Sequence, residues 1–199
     1  MSLKLAHKWA IASHLGPGGS GGTVDFSVVI VELFDERTGI RAWGEASPST
    51  RYNEDVQFIE QPMPATTPRS DWVWLKERSP IPLIADESYV TAADASFCGE
   101  CFHGVNVKLV KAGGITPAFE ALQAARKHGL KTLLGCMIET SILLSAAAHL
   151  AELTDFLDLD GNLLITNDPF MGVACDNGLL AFSENLPTSG LRVMPRRPA

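Results

Sequence analysis

Basic clusters are missing from this sequence. Its 16 Lys and Arg residues are scattered among 23 Asp and Glu, giving a formal net charge of −7 over 199 residues. Binding to nucleic acid or to an anionic membrane surface draws on counterion release from a basic face, so neither is an expected partner. The one basic pair near a terminus, Arg196 and Arg197, reads as a solvated tail. Long apolar runs are missing too: no stretch approaches the roughly 18 uninterrupted apolar residues of a membrane span. The opening MSLKLAHKWA has neither the apolar core nor the small-residue cleavage site of a secretory leader. Cysteine is sparse, at Cys98, Cys101, Cys136 and Cys175. Cys98 and Cys101 form a CxxC, but no second CxxC or His pair completes a zinc site. A redox CxxC opens a helix after a strand, whereas this one precedes the strand-like run GVNVKL. A reducing compartment is expected, with the cytoplasm as location.

What is present is ordinary globular material, 46% hydrophobic and 20% charged, enough for one large domain or two small ones. The first third reads as β structure. Residues 4–13 and the β-branched run VDFSVVIVELF predict strands, and the turn DERTG followed by IRAWGEA predicts a hairpin. The loop GPGGSGG at 16–22 has no GxGxxG or GxxxxGK spacing and reads as a hairpin tip, not a phosphate cradle. From residue 56 the pattern changes to strands alternating with helices. VQFIEQP, IPLIADES, GVNVK, KTLLGCM and DFLDLDG predict strands. TTPRSDWVWLKERS predicts a helix with Trp72 and Leu75 on one face, TAADASF a short helix and SILLSAAAHLAEL an apolar one. A further helix over 115–128 has Thr116 as expected N-cap, Pro117 in its first turn and Gly129 as stop, while LVKAGG before it reads as loop. Strands alternating with helices indicate parallel βα units, and strands apolar on both sides fit a sheet covered on both faces.

The polar residues come late in each strand. Glu60, Asp86, Lys108, Glu139, Asp158 and Asp160 all fall at or just past a predicted strand end. In a β/α-barrel those ends share one face, where active sites are built. A carboxylate directly after an apolar run is costly unless paired or bound to a cation, and two that converge suit a hard ion such as Mg²⁺. Helix capping is the plainer role for either acid alone. Lys108 lies among Val105, Val107, Leu109 and Val110, which argues against a lysine snorkelling to the surface. Desolvation and nearby cations are expected to lower its pKa toward the range of a general base. Asp158 and Asp160 are alternate residues, so both carboxylates are expected on one face, with a cation or a substrate ammonium between them. A polar loop start remains the alternative.

The strings FIEQPMP, PLIADES, VNVKLVKAGG, LLGCMIETS and DLDGNLLITNDPF resemble the enolase superfamily of muconate-lactonising/mandelate-racemase type, and especially its dipeptide epimerases. IRAWGEASPSTRYNED resembles the end of that family's N-terminal capping domain. The resemblance implies an α/β fold: a modified (β/α)7β TIM-type barrel, of which only the later strands are present, plus an α+β capping domain. It divides the chain into capping residues 1–55, barrel strands four to eight over 56–165, and a C-terminal segment 166–199 returning to the cap. It implies Glu60 and Asp86 as Mg²⁺ ligands and Lys108 as a base exchanging the substrate α-proton. Asp158 and Asp160 are implied to hold a dipeptide ammonium, and Met137 and Glu139 to line the pocket. The loop 49–54 is implied to close over the substrate, and its Arg51 could pair with an acidic substrate side chain.

One departure from the family pattern is large. Between RYNED and FIEQP the family carries three barrel strands, a second catalytic lysine and a third metal-binding aspartate; here Asp55 runs straight into Val56-Gln57-Phe58. Either the protein has a segment that these 199 residues omit, or the chain is deleted there. Omission is the expectation, because five strands cannot close an eight-stranded barrel. The function implied is Mg²⁺-dependent epimerisation of a dipeptide. The alternatives are a cycloisomerase, an o-succinylbenzoate synthase or an N-acylamino-acid racemase of the same subgroup, or an inactive truncated relic. Barrels often associate, so a homo-oligomer stays among the expected states.

Overall fold

The computed structural model describes the backbone of residues 2–10, 25–34 and 41–46, and residues 58–176 and 179–196 beyond them. Strands β1 (Ser2–Ala10), β2 (Asp25–Phe34) and β3 (Arg41–Ala46) form an antiparallel sheet in that order. Phe34 pairs with Arg41 and Leu33 with Ala42, the register of the expected hairpin. The loops 16–22, 35–39 and 49–54, and with them Arg51, lie outside the described residues.

The rest is built on five parallel strands: β4 (Ile59–Glu60), β5 (Leu83–Ala85), β6 (Gly104–Lys108), β7 (Lys131–Gly135) and β8 (Phe156–Asp158). They neighbour one another in sequence order. Helices α1 (Arg69–Arg78), α2 (Ala95–Cys101), α3 (Leu109–Ala112), α4 (Ile115–Lys127) and α5 (Ser141–Ala148) fall in the connections. The strands are short, and in β5, β6 and β7 the central residues are buried, including Leu83, Ile84, Ala85, Val105 and Leu134. Such double-sided burial explains why the sequence shows no polar alternation there. The sheet also curls. The ring of Phe58, just before the first strand of this sheet, meets that of Phe156 in the last at 5.3 Å between centroids. The geometry is that of part of a barrel, with five of its strands.

Helix α1 buries Trp72 and Leu75 as expected, and the Trp72 indole packs on Phe102 at 4.5 Å. In α4 the buried residues are Ala118, Ala121, Leu122 and Ala125, one face of a 3.6-residue period whose alanines admit close approach to the sheet. Two local expectations are corrected here. The N-cap of α4 is Gly114, not Thr116. Gly113 and Gly114 both have positive φ, of 96° and 127°, and this reversal lets α4 start directly after α3. LVKA is accordingly a single helical turn, not loop. Gly129, at φ 70°, does stop α4. The CxxC ends α2; both thiols are buried, and burial with the nearby Asp94 charge pushes Cys98 up to about 12, far from a redox thiolate.

The C-terminal segment adds two small antiparallel pairs, β9 (Phe170–Met171) with β12 (Met194–Pro195) and β10 (Ala174–Asp176) with β11 (Leu179–Ala181). It is anchored by Asp168, whose carboxylate accepts from the Ser141 amide at 2.9 Å, the Ser141 hydroxyl at 2.6 Å and the Phe170 amide at 3.0 Å. Arg196 is not part of the solvated tail expected from the sequence: its amide donates to Pro169 O and its Nε to Phe170 O. Among the described residues no helix is long and apolar enough to cross a membrane.

Candidate functional site

Glu60 and Lys108 are the last residues of β4 and β6, Asp86 is the first after β5, and Asp158 ends β8. Parallel strands in one sheet present these ends together. The Lys108 ammonium donates to Asp86 Oδ2 at 2.9 Å, with both side chains largely buried. On its other side Lys108 Nζ lies 3.8 Å from Met137 Sδ. Val105, Val107 and Leu109 around it are buried, although Val110 is exposed.

Three residues that the sequence reading passed over complete the arrangement. Lys111, one turn into α3, donates to the other oxygen of Asp86, to Asp86 O at 2.6 Å, to Asn106 O at 3.2 Å and to Tyr89 O at 3.3 Å. Asn106 Nδ2 donates to Glu60 Oε1 at 2.7 Å. Gln61 accepts at Oε1 from the amides of Asp86 (2.8 Å) and Ser88 (3.3 Å), tying the end of β4 to the loop after β5. It does so from φ 35°, a left-handed backbone that a non-glycine residue adopts at some cost. The one signal available beforehand was placement: Asn106 and Lys108 alternate on β6, so they share a face, and Lys111 follows Lys108 at helical spacing.

Electrostatics divide the carboxylates. Burial raises Glu60 and the Asp86 charge adds to it, outweighing the Asn106 bond and Lys108. Burial acts on Asp86 too, but the Lys111 and Lys108 bonds and charges reverse it and hold Asp86 below the ordinary range. Asp158 is pushed up by burial and then by Asp160, with Lys108 opposing. One expectation fails: the Lys108 pKa is raised, not lowered. Burial does pull it down, but the Asp86 bond and the charges of Asp86, Glu60 and Asp158 outweigh that.

Asp158 and Asp160 flank the buried Leu159 and are both exposed. Glu139 Oε1 accepts from the Met137 amide at 3.1 Å, a bond that shapes the loop after β7 and leaves Met137 53% exposed above the strand ends. Mg²⁺ takes oxygen ligands and keeps several waters, so one or two carboxylates can hold it. Glu60 and Asp86 fit that donor set. Among the described residues no group of three His, Cys, Asp or Glu is placed to hold a metal.

A family model described as enolase C-terminal domain-like matches residues 12–169. The chain belongs to the enolase C-terminal domain-like family. This enolase-like chain is 65% identical over 138 residues to an L-Ala-D/L-amino acid epimerase of Pedosphaera parvula, covering 69% of the chain and 40% of that protein. It is 40% identical over 136 residues to an L-Ala-D/L-Glu epimerase of Bacteroides thetaiotaomicron, covering 68% and 35%. Among solved structures it resembles a dipeptide epimerase from Cytophaga hutchinsonii complexed with Mg and the dipeptide D-Ala-L-Val. The TM-score is 0.64 at 25% identity, over 72% of this chain and 40% of that one. The chain thus spans about two fifths of the relatives it matches.

Proposed function

We propose that this chain supplies the Lys108 half of a Mg²⁺-dependent epimerase acting at the α-carbon of a dipeptide. The observation that carries the reading is the ion pair of Lys108 with Asp86 beside Glu60, at the ends of adjacent parallel strands. The epimerase names of its relatives support it.

Glu60 and Asp86 would hold the Mg²⁺. When bound, the ion supplies positive charge that stabilises the two oxygens of an enediolate. The chain's own groups do the rest. Lys108, once neutral, accepts the α-proton and returns it, general base then general acid. Lys111 is engaged by Asp86 and three carbonyl oxygens, so it is fixed in place, whereas Lys108 is held by one carboxylate oxygen among the described residues and can move. Asp158 and Asp160 would receive the substrate ammonium, whose charge relieves their mutual repulsion. That pair favours a dipeptide over the substrates of cycloisomerases, o-succinylbenzoate synthases or N-acylamino-acid racemases, which carry no free ammonium. Met137 and Glu139 would shape the pocket, and Arg51 would select the substrate side chain. The division into capping residues 1–55, barrel residues 56–165 and a returning segment 166–199, and a cytoplasmic location, are proposed with it.

Inversion needs a base on each face of the α-carbon, and a single lysine supports only exchange with retention. A dipeptide panel incubated with the protein in D₂O and Mg²⁺ tests the reading. Deuterium at the α-carbon of the C-terminal residue is expected, and no exchange on any member overturns it. Intact mass bears on the second base: 21.4 kDa leaves the other face without one, and a larger mass places the omitted segment in the protein.

A further inference from the structure

Asn106 is fully buried in the middle of β6, between Val105 and Val107, where a polar side chain is costly unless both ends of its amide are bonded. Only one end is. Nδ2 donates to Glu60 Oε1 at 2.7 Å, while Oδ1 has no partner among the described residues. The space it occupies is left by a glycine on the neighbouring strand. A Cβ at Gly135 would stand 2.5 Å from Asn106 Oδ1 and 2.7 Å from Nδ2, closer than real Cβ atoms come. A residue that serves stability alone would be apolar here; leucine has nearly the same shape and no unpaired oxygen. What the amide does instead is fix one oxygen of the Glu60 carboxylate, and its own main-chain carbonyl helps hold Lys111.

We propose that Asn106, seated against Gly135, is a positioning residue that aims the Glu60 carboxylate at the cation site. The inference rests on the proposed metal-binding reading of Glu60. In Asn106→Leu the loss of a buried unpaired acceptor offsets the loss of the donor to Glu60 Oε1, so the metal-free protein melts within a few degrees of the parent. Its Mg²⁺ dissociation constant rises by about 10–100-fold, the usual cost of losing a group that orients a metal ligand. A purely structural asparagine gives the opposite pattern: a lower melting temperature and unchanged Mg²⁺ affinity.

Calorimetric Mg²⁺ titration and thermal melts of the parent and Asn106→Leu, on the intact protein, decide between them. Unchanged affinity in a folded variant overturns the inference. Gly135→Ala, which leaves Asn106 in place chemically but displaces it, is expected to weaken Mg²⁺ binding as well; full affinity there counts against the seat. Should the parent itself bind no Mg²⁺, the metal-binding reading of Glu60 fails first. The aiming role is then read without metal, from the Glu60 γ-methylene protons by NMR. They are expected to be inequivalent in the parent and merged in Asn106→Leu, and inequivalence in both removes the role. A leucine variant that does not fold contradicts the expected melting result outright.

Discussion

At the residue scale, two lysines three positions apart have different neighbours. Among the described residues Lys111 has four oxygen acceptors for its three N–H groups, whereas Lys108 has one carboxylate oxygen and a thioether. Removing a general base costs about 10²–10⁴-fold in rate. Lys108→Met is therefore expected to lower α-proton exchange by that factor while leaving Mg²⁺ affinity within a few-fold, measured by deuterium uptake and calorimetry. A Lys108→Met protein that exchanges at the parent rate removes Lys108 from the mechanism. The raised pKa of Lys108 has a direction as well. Its neutral form is scarce at neutral pH, so exchange should climb as pH rises above 7. A pH profile of the exchange rate measures this.

At the level of elements, the close contacts sit where helices and strands meet. The buried Tyr89 hydroxyl donates to Ala121 O at 2.6 Å, pinning the loop after β5 to α4. Tyr89→Phe keeps the ring but removes that bond, and should cost about 0.5–1.5 kcal/mol in urea unfolding. Gly104 opens β6 where a Cβ would meet Ile84 Cδ1 at 2.5 Å and Lys131 O at 2.7 Å. Overpacking of this kind costs about 1–3 kcal/mol, so Gly104→Ala should lower the urea midpoint by more than an exposed Gly→Ala change does. Asp168 ties the C-terminal segment to α5. Burial pushes its carboxyl up, but the Ser141 and Phe170 bonds and the Arg196 charge hold it below the ordinary range. A depressed folded-state pKa gives stability that is fully present above the unfolded value of about 3.9 and is lost as pH falls below it. Asp168→Asn should flatten that part of the acid unfolding curve, read by circular dichroism.

Across the whole molecule, β4 and β8 each have a strand neighbour on one side only among the described residues, and Leu157 on β8 is exposed. Unpaired edges are prone to self-association, so the oligomeric state of the purified protein belongs among the first measurements. Cation binding should act on the whole fold, because Glu60 and Asp86 come from different strands. At free Mg²⁺ 100-fold above the dissociation constant, binding adds about 2.7 kcal/mol of stability. A thermal melt should therefore shift upward by several degrees with Mg²⁺ and not with an equal ionic strength of NaCl. No shift would leave the inactive-relic alternative standing.

The order of elements and the strand-end placement of Glu60, Asp86, Lys108 and Asp158 were legible in the sequence, because apolar runs ended by a polar residue repeat five times. So was the helix face of Trp72 and Leu75, set by a local period. The start of α4 was misread, because Thr116 looks like a cap while two positive-φ glycines set the turn before it. The direction of the Lys108 shift was also out of reach. It depends on how many anions surround one ammonium, and Asp86, Glu60 and Asp158 lie 22 or more positions away along the chain. Nor could sequence spacing show that Asn106 reaches Glu60, 46 residues earlier, or that Gly135 makes room for it. Period and punctuation are local properties of the chain. Charge pairing and close packing are properties of space, and only the folded sheet decides them.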